Sequence, residues 1–406
     1  MTPTRVVITG LGAFTSAGRN VFDLWRALSE GRSAIRPLAS VDTSQLRFQN
    51  GAEVEAYDPT AFFPTKQLEL LDRFAQFALL AAREAVAEAR VMWTPELRAR
   101  AAVVTGSCLG GKQHEGQAYA EFFGSADKRP HPLTIPRAMG NAAASHVSME
   151  FGLTGPTFNI STACASSNHA IGQAFMLVRS GVAKMALAGG SESPFDLGHL
   201  KFWEALRVVA PDTCRPFSKD RKGMILGEGG AMLMLETLEG AQSRGAKIHS
   251  EIVGFGMSAD AHNITQPLAQ GAAQAISSAL DDAGIRPEQV GYVNAHGTGT
   301  LANDATETEA IRLVFKEHAN RLAVSSTKSM HGHTLGAAGA IEAVATILAL
   351  REGVLPPTAN FNEPDPACDL DVIPNEARQA EVEYAISNSF AFGGLNAVLA
   401  FRAWRD

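Results

Sequence analysis

The sequence predicts an α/β protein made of two like halves, and three observations carry that prediction. Short apolar runs alternate with Ala-rich helical runs along the whole chain. Its 37 glycines punctuate those runs, and no low-complexity linker separates them. One order of features also occurs twice: a strand, a polar turn with a reactive-type residue, then a buried helix of small residues.

The strands are read in RVVITG at the N-terminus, AAVVTGS, KMALAGG, YVNAHG, RLAVSST and AVLAFRA. These runs are apolar throughout rather than alternating, as expected of strands covered on both faces. Helices are expected over 70–90, 165–180, 270–284, 305–318 and 336–352. The repeat places FNISTAC, ending at Cys164, before a helix that closes with Arg179-Ser180-Gly181. It places LAVSSTKSMHGH, ending at His333, before one that closes with Arg351-Glu352-Gly353. HSEIVGFGMSAD opens a fresh strand near residue 250, which divides the chain into an N-terminal half, 1–250, and a C-terminal half, 251–406.

Composition excludes several classes of function. With 46% hydrophobic and 19% charged residues, the 406-residue chain can bury a large core. MTPTRVVITGLGAF runs directly into a strand, so no secretory leader is expected. The most apolar helical stretch, 336–350, carries Glu342 and is too short to span a bilayer. A net charge of −7 without a Lys/Arg stripe argues against nucleic acid as a partner. The four cysteines, Cys108, Cys164, Cys214 and Cys368, lack paired spacing, so neither a disulfide scaffold nor a metal site is expected. Cytoplasm is the expected compartment.

The candidate chemistry begins at Cys164. A cysteine at a helix N-terminus faces unpaired N–H groups and the positive end of the helix dipole, which favour its thiolate. Ala163, Ala165, Ser166 and Ser167 let another molecule approach closely. His296 lies in NAHGTGT directly after a strand. His333 lies in KSMHGH before a helix, where N–H groups favour a neutral ring; His331 is expected to point elsewhere. Lys328, in the same stretch, needs a carboxylate partner if buried, and Glu307 is one candidate. Phe392-Gly393-Gly394 forms a turn able to present backbone donors to an oxyanion.

Together these motifs resemble the elongating β-ketoacyl-acyl-carrier-protein synthases, condensing enzymes of the thiolase superfamily. The resemblance rests on VVITGLG, STACASSNHAIG, APDTCRPFSKDRKGMILGEGG, NAHGTGTLANDATE, STKSMHGHTLGAAGAIE and NSFAFGGLN, which follow the family order at family spacing. It implies a duplicated α-β-α-β-α thiolase-like fold in five layers. A homodimer is the implied assembly, with a heterodimer as the rival. It also implies decarboxylative condensation of an acyl-enzyme with malonyl-carrier protein, with acyl carrier protein as partner. Substrates would arrive on phosphopantetheine, and no cofactor would be bound for catalysis.

By the same resemblance Cys164 is the acyl acceptor, and His296 and His333 hold the malonyl thioester and stabilise its enolate. Lys328, paired with Glu307, is an electrostatic support. Phe392 supplies an oxyanion-hole N–H and a gating ring. Thr298, Thr300 and Thr265 contact pantetheine, Leu109 lines the acyl pocket, and Thr134 closes its far end across the dimer. A chain-length-determining subunit without catalysis is the alternative, although such subunits typically lack the nucleophile.

The sequence departs from the family in places. Ala391 and Leu395 replace a common glycine and threonine in the gate loop, and His331 replaces a small residue. In the expected carrier-docking helix, TKQLELLDRF, Lys66 and Arg73 remain, but Glu69 and Leu70 stand where bases are frequent. Lys128, Arg129 and Arg137 are the candidate substitute patch. Several segments also resemble the nodulation-factor branch, which leaves housekeeping and specialised elongation both open.

Overall fold

The computed structural model describes residues 4–124, 129 and 131–405. Ten strands form its main sheet. The N-terminal five are β1 (Val6–Thr15), β2 (Ala101–Gly106), β3 (Thr157–Ile160), β4 (Met185–Glu192) and β5 (Gly229–Thr237). The C-terminal five are β6 (Ser250–Ala259), β7 (Val290–Asn294), β8 (Ala323–Ser325), β9 (Tyr384–Ala391) and β10 (Leu395–Ala403). Spatial order is β8-β7-β9-β10-β6-β1-β5-β4-β2-β3.

Reading outward from the centre gives β1-β5-β4-β2-β3 on one side and β6-β10-β9-β7-β8 on the other, the same order. Pairing directions agree as well. β5 is antiparallel to β1 and β4, while β2 is parallel to β4 and β3. β10 is antiparallel to β6 and β9, while β7 is parallel to β9 and β8. The expected duplication is therefore present strand by strand. The halves join through the short antiparallel match of Val6 with Ile252, Val7 with Glu251 and Ile8 with Ser250.

Helices complete five layers. α1 (Arg73–Ala89) packs outside the N-terminal strands β1, β4 and β5. Between the two sheet halves lie α2 (Ser166–Arg179) and, near the C-terminus, α6 (Ala338–Glu352), each touching strands of both halves. The remaining labelled helices are α3 (Leu197–Leu206), α4 (Ala269–Ala283) and α5 (Leu301–Phe315); α4 covers β6 and β10, and α5 packs on α4. α6 is buried from Ala338 to Leu350, so it needs apolar residues on every face. Strands covered on both sides explain the unbroken apolar runs.

One expected helix is interrupted. Thr65–Leu68 forms a single turn, and α1 begins only at Arg73 because the Asp72 carboxylate caps the Phe74 N–H. The segment read as one docking helix is thus two pieces with a cap between them.

Candidate active site

Each reactive side chain sits where a strand of one half gives way to a turn. After β3 the chain passes through Ala163, whose φ of 48° is left-handed, and this bend presents Cys164 just ahead of α2. After β8 the corresponding turn presents His333 ahead of α6, and after β7 the Gly-rich turn presents His296. The duplicated topology brings all three turns to one place.

His333 Nε2 lies 3.1 Å from Cys164 Sγ, and the Leu335 N–H donates to His333 Nδ1 at 3.2 Å. With Nδ1 occupied as an acceptor, a neutral ring carries its proton on Nε2, facing the sulfur. The His296 and His333 rings meet edge to face, 5.4 Å between centroids. Burial holds both imidazoles well below the ordinary histidine range, Lys328 lowers both further, and His333 adds to the shift at His296 as His331 does at His333. They are neutral donors at physiological pH; the sequence led us to expect this of His333, from helix N–H groups, whereas burial is the main cause at both rings.

The thiol behaves differently from expectation. Burial pushes Cys164 up to about 11, outweighing Lys328 and the backbone N–H groups of Phe392 and Cys164 that favour its thiolate. At rest Cys164 is a protonated thiol. The same two N–H groups approach the Cys164 side chain.

The partner of Lys328 also differs. Lys328 Nζ donates to the Glu342 carboxylate and to the His296 carbonyl oxygen at 2.6 Å, all within the interior. Glu307 instead accepts from the backbone N–H groups of His296 at 2.8 Å and Gly297 at 2.7 Å, and from Asn388 at 3.1 Å. Glu307 therefore shapes the His296 turn and does not pair with the lysine. Glu342 is the acid that marked 336–350 as no membrane span. A lone carboxylate in an otherwise apolar helix was the available signal for a buried ion pair.

Glu192, at the end of β4, was not anticipated. Its carboxylate accepts from Ser107 Oγ and Cys108 N at 2.8 Å each and from Gly336 N at 3.1 Å. It ties the turn after β2 to the turn before α6. His331 points away, bonded to Thr327 Oγ1 at 3.0 Å and held at about 3 chiefly by burial.

The cavity over Cys164 has a volume of about 120 Å³, and Thr265, Thr298, Thr300 and Phe392 all line it. Thr298 and Thr300 share a 2.9 Å hydroxyl hydrogen bond. Ala391 pairs with Leu395 at the base of the β9–β10 hairpin, and Gly393 and Gly394 turn its tip with φ of 83° and 68°.

Leu109 and Thr134 do not line this cavity. Leu109 packs with Leu38, Phe195 and Leu335, and Thr134 opens a short helix whose hydroxyl donates to the His131 carbonyl at 2.8 Å. Of the candidate substitute docking patch, Arg129 is exposed. Lys128 lies outside the described residues, and Arg137 is half-buried beside Asp72. In the docking segment Arg73 is consumed by the Glu228 carboxylate and stacks over Tyr57 and Phe77, while Lys66 stays exposed. Among the described residues, one group gathers metal-type donors, Cys164, His296 and His333, with ligand atoms within 4.8 Å of one another. The adjacent Lys328 charge opposes a second cation there.

Comparison with known proteins decides the family. The profile described as "Beta-ketoacyl synthase, N-terminal domain" matches residues 3–241, and "Beta-ketoacyl synthase, C-terminal domain" matches 249–362. The chain belongs to the β-ketoacyl synthases. This synthase is 48% identical to "Nodulation protein E" of Rhizobium leguminosarum bv. trifolii, covering 98% of the chain and 99% of the relative. It is 42% identical to "3-oxoacyl-[acyl-carrier-protein] synthase 2" of Synechocystis sp., over 99% and 98%.

Solved structures agree on the fold. "The ishigamide ketosynthase/chain length factor" aligns with a TM-score of 0.95 at 36% identity over the whole of both chains. A β-ketoacyl synthase from Burkholderia phymatum aligns with a TM-score of 0.92 at 37% identity, over 99% of this chain and 100% of that one. The thiolase-like fold expected from the sequence is shared with these structures, and this synthase is a condensing acyltransferase. Among the described residues, no helix is long and apolar enough to cross a membrane.

Proposed function

We propose that Cys164 accepts an acyl group from a carrier protein and that His296 and His333 direct malonyl-carrier to attack it. In the first step the Cys164 sulfur bonds to the acyl carbonyl carbon and the carrier's thioester bond breaks. The departing pantetheine sulfur takes the proton that Cys164 loses. The N–H groups of Cys164 and Phe392 stabilise the tetrahedral oxyanion. In the second step the malonyl carboxylate leaves as carbon dioxide, and its bonding electrons pass into an enolate. Neutral donors at His296 and His333 stabilise the enolate oxygen. The enolate carbon bonds to the acyl carbonyl, Cys164 leaves and regains a proton, and 3-ketoacyl-carrier is released. Decarboxylation drives the carbon–carbon bond, so this reading needs no metal or redox cofactor. Thr265, Thr298 and Thr300 are the proposed pantetheine contacts.

The observation that carries this reading is the 3.1 Å contact between a neutral His333 ring and the Cys164 sulfur, within one buried cluster with His296. It also weighs against the silent-subunit reading, which likeness to a ketosynthase/chain length factor keeps as the alternative. A specialised, nodulation-type pathway with a dedicated carrier is supported by the 48% identity to Nodulation protein E. The altered docking segment, with Glu69 and Leu70 in place of bases and Arg73 already paired, points the same way. A reducing cytoplasm suits an enzyme that needs Cys164 as a free thiol.

Two copies are the proposed assembly. β3 is an edge strand whose outer side is unpaired in one chain and whose Phe158 is 37% exposed, a surface suited to pairing with its counterpart.

The test is intact-protein mass spectrometry after mixing with acyl-carrier proteins of graded chain length, Cys164→Ala serving as control. One acyl mass added to the wild type and none to the variant supports the reading. No acylation by any chain length would favour the silent subunit.

A further inference from the structure

Phe392 does not close the cavity alone. Its ring lies near-parallel to and offset from the indole of Trp203, 6.4 Å between centroids and 23° between planes, and both side chains line the space over Cys164. A volume of about 120 Å³ is too small for an acyl-pantetheine, since ligand pockets of that class run from about 300 Å³ upward. The enclosing groups must move before substrate reaches the sulfur.

The two rings sit on unlike supports. Phe392 rides on the Gly393-Gly394 turn at a hairpin tip, which two backbone hydrogen bonds tie to the facing loop, Gly393 N–H to the Ile264 carbonyl at 2.8 Å and Asp260 N–H to the Gly394 carbonyl at 2.9 Å. Trp203 rides on α3, which is fixed from several sides. Asp196 caps its first turn, the Glu204 carboxylate accepts the Arg47 N–H, and Lys201 reaches the Gln45 carbonyl. A ring on a hairpin tip is therefore held by one on a helix.

We infer that Trp203 is a positioning residue for the condensation, the latch that holds the Phe392 gate shut and sets how often long apolar chains reach Cys164. The inference rests on the proposed role of Cys164. Offset-stacked aromatic pairs contribute enough to shift an opening equilibrium by about two- to ten-fold. Releasing the latch makes acyl entry faster and lets water reach the acyl-enzyme. The cost is seen as hydrolysis of the thioester when malonyl-carrier is withheld.

The experiment compares wild type, Trp203→Ala and Trp203→Phe, each alone and combined with Phe392→Leu. The first readout is the rate at which a long-chain alkyl maleimide labels Cys164, which requires no carrier protein. The second is hydrolysis of the acyl-enzyme formed from acyl-carrier. Expected are rises of about two- to ten-fold in both rates for Trp203→Ala, recovery to near wild type in Trp203→Phe, and no further rise when Phe392 is already Leu. Should Trp203→Ala lower the melting temperature markedly, Trp203→Leu keeps apolar contact without the ring and carries the same expectation. Labelling rates equal to wild type in the Ala and Leu variants would overturn the latch. So would an equal rise in the Phe392→Leu background. Normal maleimide labelling with no carrier acylation would instead count against the proposed function alone.

Discussion

At Cys164 two influences oppose each other: the N–H groups ahead of α2 and the Lys328 charge favour the thiolate, and burial disfavours it. Burial prevails, and the thiol is pushed up to about 11. The group's pKa is raised, so its thiolate fraction keeps growing as pH climbs through the neutral range toward that value. Iodoacetamide alkylation of Cys164 should therefore accelerate about ten-fold per pH unit from 7 to 9 without levelling. A plateau near pH 7 would show a pre-formed thiolate instead.

The Lys328–Glu342 pair makes a second prediction at this scale. Glu342→Gln leaves a buried ammonium unpaired and should lower unfolding stability by about 3–5 kcal/mol in denaturant titrations. In double-mutant cycles Lys328→Met should couple strongly to Glu342→Gln and weakly to Glu307→Gln. Strong coupling to Glu307 would restore the pairing first read from the sequence. That reading erred for a physical reason: a buried lysine's need for an acid is legible, but the facing acid depends on how two helices rotate about their axes. Cys164 and His333 were legible because each stands in a polar turn between a strand and a buried helix, and His296 because it stands in a Gly-rich turn directly after a strand.

Among elements, α2 and α6 are the ones the site depends on. They are buried helices of small residues, and β2 approaches the start of α2 so closely that a Cβ at Gly106 would lie 2.4 Å from the Ser167 backbone nitrogen. Gly106→Ala must push back the helix start that carries Cys164. It should cost about 1–3 kcal/mol in thermal melts and slow alkylation of Cys164 more than it slows reaction of the protein's other thiols. Unchanged melting and alkylation would mean the β2–α2 contact has slack.

Ala-rich runs located α1, α2, α4, α5 and α6, because helices packed between layers are built of small apolar residues. They missed the break at 69–72, where one side-chain cap decides the boundary. They also could not show that Arg73 would be spent on Glu228. Composition counts the bases in a segment, but folding determines which remain free.

In the whole molecule, the duplication was legible from one repeated order of features, since each half must build the same strand order to bury its central helix. The far end of the acyl pocket was not, because Thr134 was read as acting across two copies, and one chain leaves it away from the cavity. The assembly itself is testable. Native mass spectrometry should give twice the chain's 43.0 kDa, and Phe158→Lys at the β3 edge should give a single chain. A wild-type protein of one chain's mass would remove that edge from the account.

The central claim is that Cys164, His296 and His333 act in sequence, the first in acyl capture and the other two in condensation. It is tested most directly by loading the protein from acyl-carrier, adding malonyl-carrier, and counting carbon dioxide and 3-ketoacyl product per acylated Cys164. Wild type should release one of each per acyl group. His296→Ala and His333→Ala should still acylate yet lose at least about a hundred-fold in carbon dioxide release. Full decarboxylation by either histidine variant, or acylation of wild type with no product formed, would contradict the account.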